Sequence, residues 1–134
     1  MTGYESVSAI DIAADRETVW DSLTDSSRLG EAMFGTQVDT DWQVGSPIRY
    51  HGEFDGKSFE DAGEVVELSR PTRLRITHAS AGSDTHELRF DLEPTAAGTH
   101  VTLTQDNNAT EDAAEHSRGN WDTMLGLLKS VVER

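Results

Sequence analysis

Apolar and polar residues follow two different periods along this chain, one helical and one alternating. In the last segment, which begins after Asn108 and runs to Arg134, apolar residues lie three or four positions apart. They are Trp121, Met124, Leu125, Leu128, Val131 and Val132. This spacing puts them on one face of a helix, so the sequence predicts a long amphipathic C-terminal helix. We expect Gly119 and Gly126 to permit close packing or bending in that helix.

Between Thr36 and Asp106, polar and apolar residues alternate, and clusters of turn-forming residues interrupt the alternation. The clusters are Gly45-Ser46-Pro47, Asp55-Gly56, Arg70-Pro71, Gly82-Ser83-Asp84 and Ala97-Gly98. This pattern predicts an antiparallel meander of about six strands. Residues of one parity should share the concave face of the sheet. They are Ile48, Tyr50, Gly52, Phe54, Leu74, Ile76, His78, His86, Leu88, Phe90, Leu92, Val101, Leu103 and Gln105.

The first segment predicts one strand followed by two short helices. An alternating strand should begin near Tyr4. Asp15 has the side chain of a helix N-cap, and Thr24-Asp25 offers a second helix start. The second helix should run through Phe34 and end at Gly35, a residue that tolerates the backbone angles of a helix terminus.

These elements have one economical packing. A sheet of about seven strands curls and buries its concave face against the terminal helix, while the two short helices close one end. We therefore predict an α+β helix-grip fold that forms one domain over residues 1–134, a usual size for one hydrophobic core. Because a curved sheet and a straight helix differ in shape, a pocket can remain between them.

Several short stretches occur in the order and spacing of a known family. They are Ile12-Ala13-Ala14-Asp15-Arg16-Glu17-Thr18-Val19-Trp20, Thr24-Asp25 with Leu29, Gly45-Ser46 with Ile48 and Tyr50, Asp55-Gly56, Gly63-Glu64-Val65-Val66-Glu67-Leu68 with Pro71 and Leu74, Gly98-Thr99-His100-Val101-Thr102-Leu103-Thr104-Gln105, and Trp121 with Leu125 and Leu128. On these stretches the chain resembles the START-like (SRPBCC) helix-grip superfamily. Within it, the chain is most similar to homologues of the activator of heat-shock protein 90 ATPase, the AHSA-type family.

The resemblance implies a cavity more firmly than a reaction. Members of the superfamily include lipid carriers, hormone receptors, aromatic-polyketide cyclases and co-chaperone domains, so the function must be argued from the site. The side chains expected to line a cavity are Phe34, Tyr50, Phe54, Ile76, His78, His86, Leu88, Phe90, Trp121, Met124, Leu125 and Leu128. Aromatic and aliphatic residues of this kind serve equally often as plain core.

Histidine carries the candidate acid–base chemistry of this chain. The five histidines, His51, His78, His86, His100 and His116, include no pair at metal-binding helical spacing, and we predict neither a metal site nor a cofactor. The parity of their strands points His78 and His86 inward, where an imidazole could orient a carbonyl or move a proton. The alternative is that each bonds a backbone carbonyl or reaches solvent. No nucleophile-elbow sequence or phosphate-binding glycine loop occurs.

The net charge and the absence of cysteine limit the classes of partner and of chemistry that this protein can have. The net charge of −14 repels phosphate backbones and anionic membranes, so we expect neither nucleic acid nor a membrane as partner. The first residues have neither a basic start nor an apolar run of signal-peptide length, which favours a cytoplasmic location. The chain contains no cysteine, which excludes disulfides and thiol chemistry. The oligomeric state is not predicted.

Three functions fit the sequence, and the first is favoured because no strong catalytic constellation is present. It is a protein without catalytic activity that binds a small hydrophobic or amphipathic ligand between the sheet and the terminal helix. The second is a chaperone-related interaction domain that works through its outer surface. The family's co-chaperones resemble this domain joined to another, which argues against the second function. The third is a polyketide cyclase or dehydratase with His78 or His86 as proton shuttle.

The excess of 25 acidic over 11 basic residues suggests the hypothesis of a halophilic source, since salt screens repulsion between carboxylates. We predict that the protein loses its fold when salt is reduced from molar to low millimolar concentration. Circular dichroism along a salt titration would measure this loss. Unchanged stability across the titration would instead indicate an ordinary acidic protein.

Overall fold

A computed structural model describes residues 3–54, 56–79 and 85–134, except for the side chain of Phe54. The elements are β1 (Tyr4–Ile12), α1 (Arg16–Leu23), α2 (Ser26–Ala32), β2 (Gln37–Asp39), β3 (Pro47–Phe54), β4 (Lys57–Ser69), β5 (Arg73–His78), β6 (His86–Thr95), β7 (Gly98–Asn108) and α3 (Glu111–Glu133). This order confirms the predicted strand, helix pair, meander and terminal helix. The turn residues predicted at Asp55 and at Gly82-Ser83-Asp84 lie outside the described residues.

One antiparallel sheet holds all seven strands, in the order β1-β7-β6-β5-β4-β3-β2. Consecutive strands of the meander pair with each other, and β1 pairs with β7, so the first and last strands lie side by side. The long helix α3 packs on the concave face of this sheet. The α+β helix-grip fold is therefore confirmed.

Polar side chains cap the three helices as their positions in the sequence suggest. Asp15 accepts a hydrogen bond from the Thr18 amide at 2.8 Å, and this bond lowers the pKa of Asp15. Asp25 accepts bonds from the first amides of α2, and Thr110 caps α3. The helix α2 ends at Ala32, earlier than predicted, because the backbone of Phe34 has left the helical region.

The concave face and one face of α3 form the hydrophobic core. The predicted parity is confirmed on β3, β5, β6 and β7, where the following members of the predicted set are buried: Ile48, Tyr50, Leu74, Ile76, Leu88, Phe90, Leu92, Val101, Leu103 and Gln105. The second half of α3 contributes Met124, Leu125, Leu128 and Val131, whereas in the first half only Ala114 is buried. Apolar packing therefore holds α3 mainly through its second half.

Two polar contacts fasten the C-terminal end of α3 to the end of β1. The Lys129 ammonium donates to the carbonyl oxygen of Asp11 at 2.9 Å, and the Ala13 amide donates to the Glu133 carboxylate at 2.8 Å. The pKa of Glu133 is lowered, first by its hydrogen bond with Lys129 and then by the one with Ala13. No helix among the described residues is long and apolar enough to cross a membrane.

A cluster of arginines on the convex face of the sheet forms ion pairs with neighbouring carboxylates. Arg75 pairs with Glu67 and Glu87, while Arg73 and Arg89 both pair with Asp91. Hydrogen bonds from Ser69 and Arg75 lower the pKa of Glu67. These cations lie on the opposite side of the sheet from α3.

A close backbone approach within the sheet occurs at Gly63 of β4, whereas the two glycines of α3 have open space around them. A Cβ added at Gly119 or Gly126 would meet nothing within 4 Å, so close packing at these positions was a wrong expectation. At Gly63 it would lie 1.9 Å from the carbonyl oxygen of Thr77 and 3.1 Å from the Tyr50 ring. That carbonyl oxygen also accepts the Tyr50 hydroxyl at 2.9 Å. The absence of a side chain at Gly63 therefore lets β3, β4 and β5 curl together.

We predict that Gly63→Ala destabilises the protein by about 2 kcal/mol or more, because strand backbone must shift to admit the methyl group. Gly119→Ala is the matched control. With open space around it, this substitution should stabilise the protein by about 1 kcal/mol through helix propensity. Urea unfolding followed by circular dichroism measures both. Equal effects of the two substitutions would contradict the close approach.

Candidate functional site

Most of the predicted lining residues lie in the closed part of the core. Seven of the twelve are fully buried among other apolar side chains: Tyr50, Ile76, Leu88, Phe90, Met124, Leu125 and Leu128. His78 and His86 are half-buried, and the side chain of Phe54 lies outside the described residues. A ligand-lining role for the residues of this group remains a prediction.

A cavity of about 440 Å³ lies beside the first half of α3. Its lining comes from the α2–β2 connection, from β7 and from α3, and consists of Phe34, Gln105, His116, Ser117, Asn120 and Trp121. Phe34 and Trp121 belong to the predicted set, and Gln105 was expected on the concave face. The structure therefore brings two predicted aromatic residues together with an inward-facing amide.

Phe34 holds a strained and exposed position at this cavity. Its φ is +62°, in the left-handed region, which costs a residue with a side chain about 1–2 kcal/mol. The neighbouring Gly35 also has a positive φ of +81°, which glycine adopts freely. Although Phe34 is a large apolar residue, it is 57% exposed. A strained backbone conformation thus places this aromatic ring at the cavity instead of in the core.

A buried hydrogen-bond network forms the polar wall of the cavity. The Trp121 indole N–H donates to Oε1 of Gln105, whose Nε2 donates to Oδ1 of Asn108 at 3.3 Å. Asn108 in turn accepts the Ser117 hydroxyl at 2.8 Å and donates to the carbonyl oxygen of Tyr4 at 2.9 Å. The network joins β1, β7 and α3, so it fixes the orientation of both Trp121 and Gln105.

Ser6 adds a buried polar group next to this network. It is the cross-strand partner of Gln105, and among the described residues its hydroxyl oxygen has no hydrogen-bond partner although it is fully buried. A buried hydroxyl without a partner costs about 1–3 kcal/mol. Such a group marks a place where a polar atom of a ligand or a water molecule would be stabilised.

The second feature of the concave face is a histidine–carboxylate pair. Nε2 of His78 lies 2.9 Å from Oδ2 of Asp61, and the His78 ring packs edge-on against Tyr50 at a centroid distance of 4.9 Å. Burial, followed by the nearby Asp61 charge, raises the pKa of Tyr50, which keeps its hydroxyl neutral. Asp61 therefore orients His78, while Tyr50 supports one side of the ring.

His86 does not join that pair, although it is the cross-strand partner of His78. Its Nδ1 lies 3.0 Å from the carbonyl oxygen of Asp106. This contact satisfies a backbone carbonyl group and so has a structural role. Two further histidine–aspartate pairs, His51 with Asp39 and His100 with Asp11, lie on exposed parts of the sheet.

Other cavities have similar volume but lie away from the concave face. One of about 350 Å³ lies between α2 and β2, and one of about 460 Å³ lies near Lys129 and the β6–β7 turn. Within the described ranges, no group of three or more histidine, aspartate or glutamate side chains is placed to hold a metal ion. The cavity at Phe34 and Trp121 is therefore the candidate functional site.

Sequence reasoning missed three residues of this cavity: His116, Ser117 and Asn120. Ser117 precedes Trp121 by one helical turn, so helical spacing already placed it on the inward face. His116 and Asn120 are exposed, and no local pattern distinguishes them from other polar residues of α3.

Comparison with known proteins gives one family and many similar structures. The sequence model of the family described as activator of Hsp90 ATPase homolog 1-like protein matches residues 13–133. No curated protein matches the chain.

Three of the similar structures show how widely sequence identity varies within this fold. The solution structure of ChR145 from Cytophaga hutchinsonii is 36% identical with a TM-score of 0.83, and the match covers 99% of this chain and 96% of that one. The crystal structure of MLL2253 from Mesorhizobium loti is 21% identical with a TM-score of 0.82, and the match covers 98% of both chains. DynU16, from the dynemicin biosynthetic locus, is 17% identical with a TM-score of 0.81; the match covers 96% of this chain and 47% of that one.

Proposed function

The chain belongs to the activator of Hsp90 ATPase homolog 1-like family, and from that premise we propose that it binds a small amphipathic ligand in the cavity between β7, α3 and the α2–β2 connection. The observation that carries the proposal is the pairing of Phe34 and Trp121 with Gln105 around one cavity. The volume of about 440 Å³ is within the usual range of small-molecule sites.

The lining supports binding in two ways. Phe34 and Trp121 offer apolar ring surface, and burial of such surface supplies most of the affinity for a small ligand. Gln105 offers amide hydrogen-bonding groups whose direction is fixed by Trp121 and Asn108. A site with apolar walls and a few oriented polar groups is typical of ligand-binding proteins.

The strain at Phe34 is further support. A phenylalanine that only filled space would lie in the core, yet this one is exposed and has a left-handed backbone. Strain of this kind concentrates at functional sites, where the surrounding structure holds it in place. A ligand that covers the Phe34 ring would remove its exposed surface from water and offset that strain.

Proton transfer is a second candidate function, favoured by the His78–Asp61 pair. If Nε2 of His78 donates its proton to Asp61, then Nδ1 is left as an acceptor that could remove a proton next to a carbonyl group. This chemistry would suit a cyclase or dehydratase. His78 is not among the residues that line the 440 Å³ cavity, so a substrate would have to reach further along β5. For this reason we rank catalysis second.

We predict that the uncharged dye N-phenyl-1-naphthylamine binds the protein and that Phe34→Ala weakens its binding about tenfold through loss of ring contact. Val44→Ala is the matched control, since Val44 is exposed and does not line the cavity. Dye fluorescence at increasing protein concentration gives both dissociation constants. No binding, or equal constants for the two variants, would contradict the proposed site.

For the second candidate, we predict that the protein accelerates deuterium incorporation into the α-position of phenylacetone and that Asp61→Asn lowers this rate at least about tenfold. Asp39→Asn is the matched control, because Asp39 holds His51 in an exposed histidine–aspartate pair. Proton NMR in deuterated buffer follows the exchange. Equal rates with and without protein would remove the case for catalysis.

A further inference from the structure

We propose that the ligand of this cavity is an uncharged amphiphile with a hydroxyl or amide head group, and that the cavity rejects lipids with a carboxylate head group. This inference rests on the proposed ligand-binding function and adds the chemical class of the ligand. Three features of the site carry it: the composition of the cavity lining, the charges around that lining, and the hydrogen-bonding groups that remain free at Gln105.

The lining offers no permanent cation to neutralise an anion, and its one ionisable side chain is His116. None of the six side chains that the structure places around the cavity belongs to lysine or arginine. Moving a carboxylate out of water into a site without a counter-charge is strongly unfavourable. An uncharged head group avoids this cost, and only its hydrogen bonds must be replaced.

The charges around the cavity increase the penalty for an anion. Arg118 is the arginine of α3 beside the lining residues, and its guanidinium lies 3.6 Å from Glu115 and 3.9 Å from Asp122. The first turn of α3 adds two carboxylates, Glu111 and Asp112. Three other arginines are paired on the convex face of the sheet. In a protein with a net charge of −14, an approaching carboxylate is therefore repelled.

The free groups at Gln105 fit a head group that both donates and accepts. The Gln105 amide uses one lone pair for Trp121 and one N–H for Asn108. Among the described residues, one lone pair and one N–H of this amide are left. A hydroxyl or primary amide can satisfy such groups. A carboxylate accepts only, and an ammonium group donates only, so each would leave buried groups without partners.

The test compares three probes with the same tail, namely decanol, decanamide and decanoate. We expect decanol and decanamide to bind at least about tenfold tighter than decanoate at pH 8, in the lowest salt at which the protein stays folded. Quenching of tryptophan fluorescence or displacement of the uncharged dye would measure the three constants. Decanoate binding as tightly as decanol would overturn the inference and leave the ligand-binding function intact. Failure of all three probes would overturn both.

Two variants distinguish the effect of the cavity lining on binding from the effect of the protein's net charge. Asn120→Lys places a cation at the cavity, whereas Gln43→Lys makes the same change in net charge at an exposed position outside the lining. We expect the ratio of decanoate affinity to decanol affinity to rise about tenfold in Asn120→Lys and to stay unchanged in Gln43→Lys. Equal gains in decanoate binding for both variants would show that the lining does not select the head group, and would overturn the inference.

Discussion

The fit of a straight helix into a curved sheet is the constraint on which the rest of this structure depends. The second half of α3 fills the concave face with Met124, Leu125 and Leu128, and the missing side chain at Gly63 lets the sheet curl around them. In the first half of α3 only Ala114 is buried, and Trp121 packs against the core while remaining partly exposed. A space therefore remains at that end of the helix, and polar residues of β1, β7 and α3 line or border it.

The fold could be predicted because its signals are local. Alternation along each strand fixed which residues share the concave face, and the spacing of Trp121, Met124, Leu125 and Leu128 fixed the buried face of α3. The extent of the cavity could not be predicted in this way. The extent of the cavity depends on the distance between α3 and the sheet along each turn of the helix. The spacing of apolar residues in the sequence does not determine that distance. Hence Tyr50 and Phe90 lie in closed core, while the exposed Asn120 lies at the cavity.

Family membership and function rest on different residues. The stretches that carry the resemblance describe turns, caps and packing, and they explain why chains of low identity share this fold. The cavity takes Phe34, Ser117 and Asn120 from outside those stretches. Under the proposed ligand-binding function, family members with the same core could differ in ligand, because these positions can change without disturbing the contact between α3 and the sheet.

The unequal anchoring of α3 has a consequence for its motion. A helix that is buried through one half and held by hydrogen bonds through the other should open in stages, with the polar half opening first. Opening of the first half would widen the cavity while the core stays intact, so ligand exchange would not require unfolding.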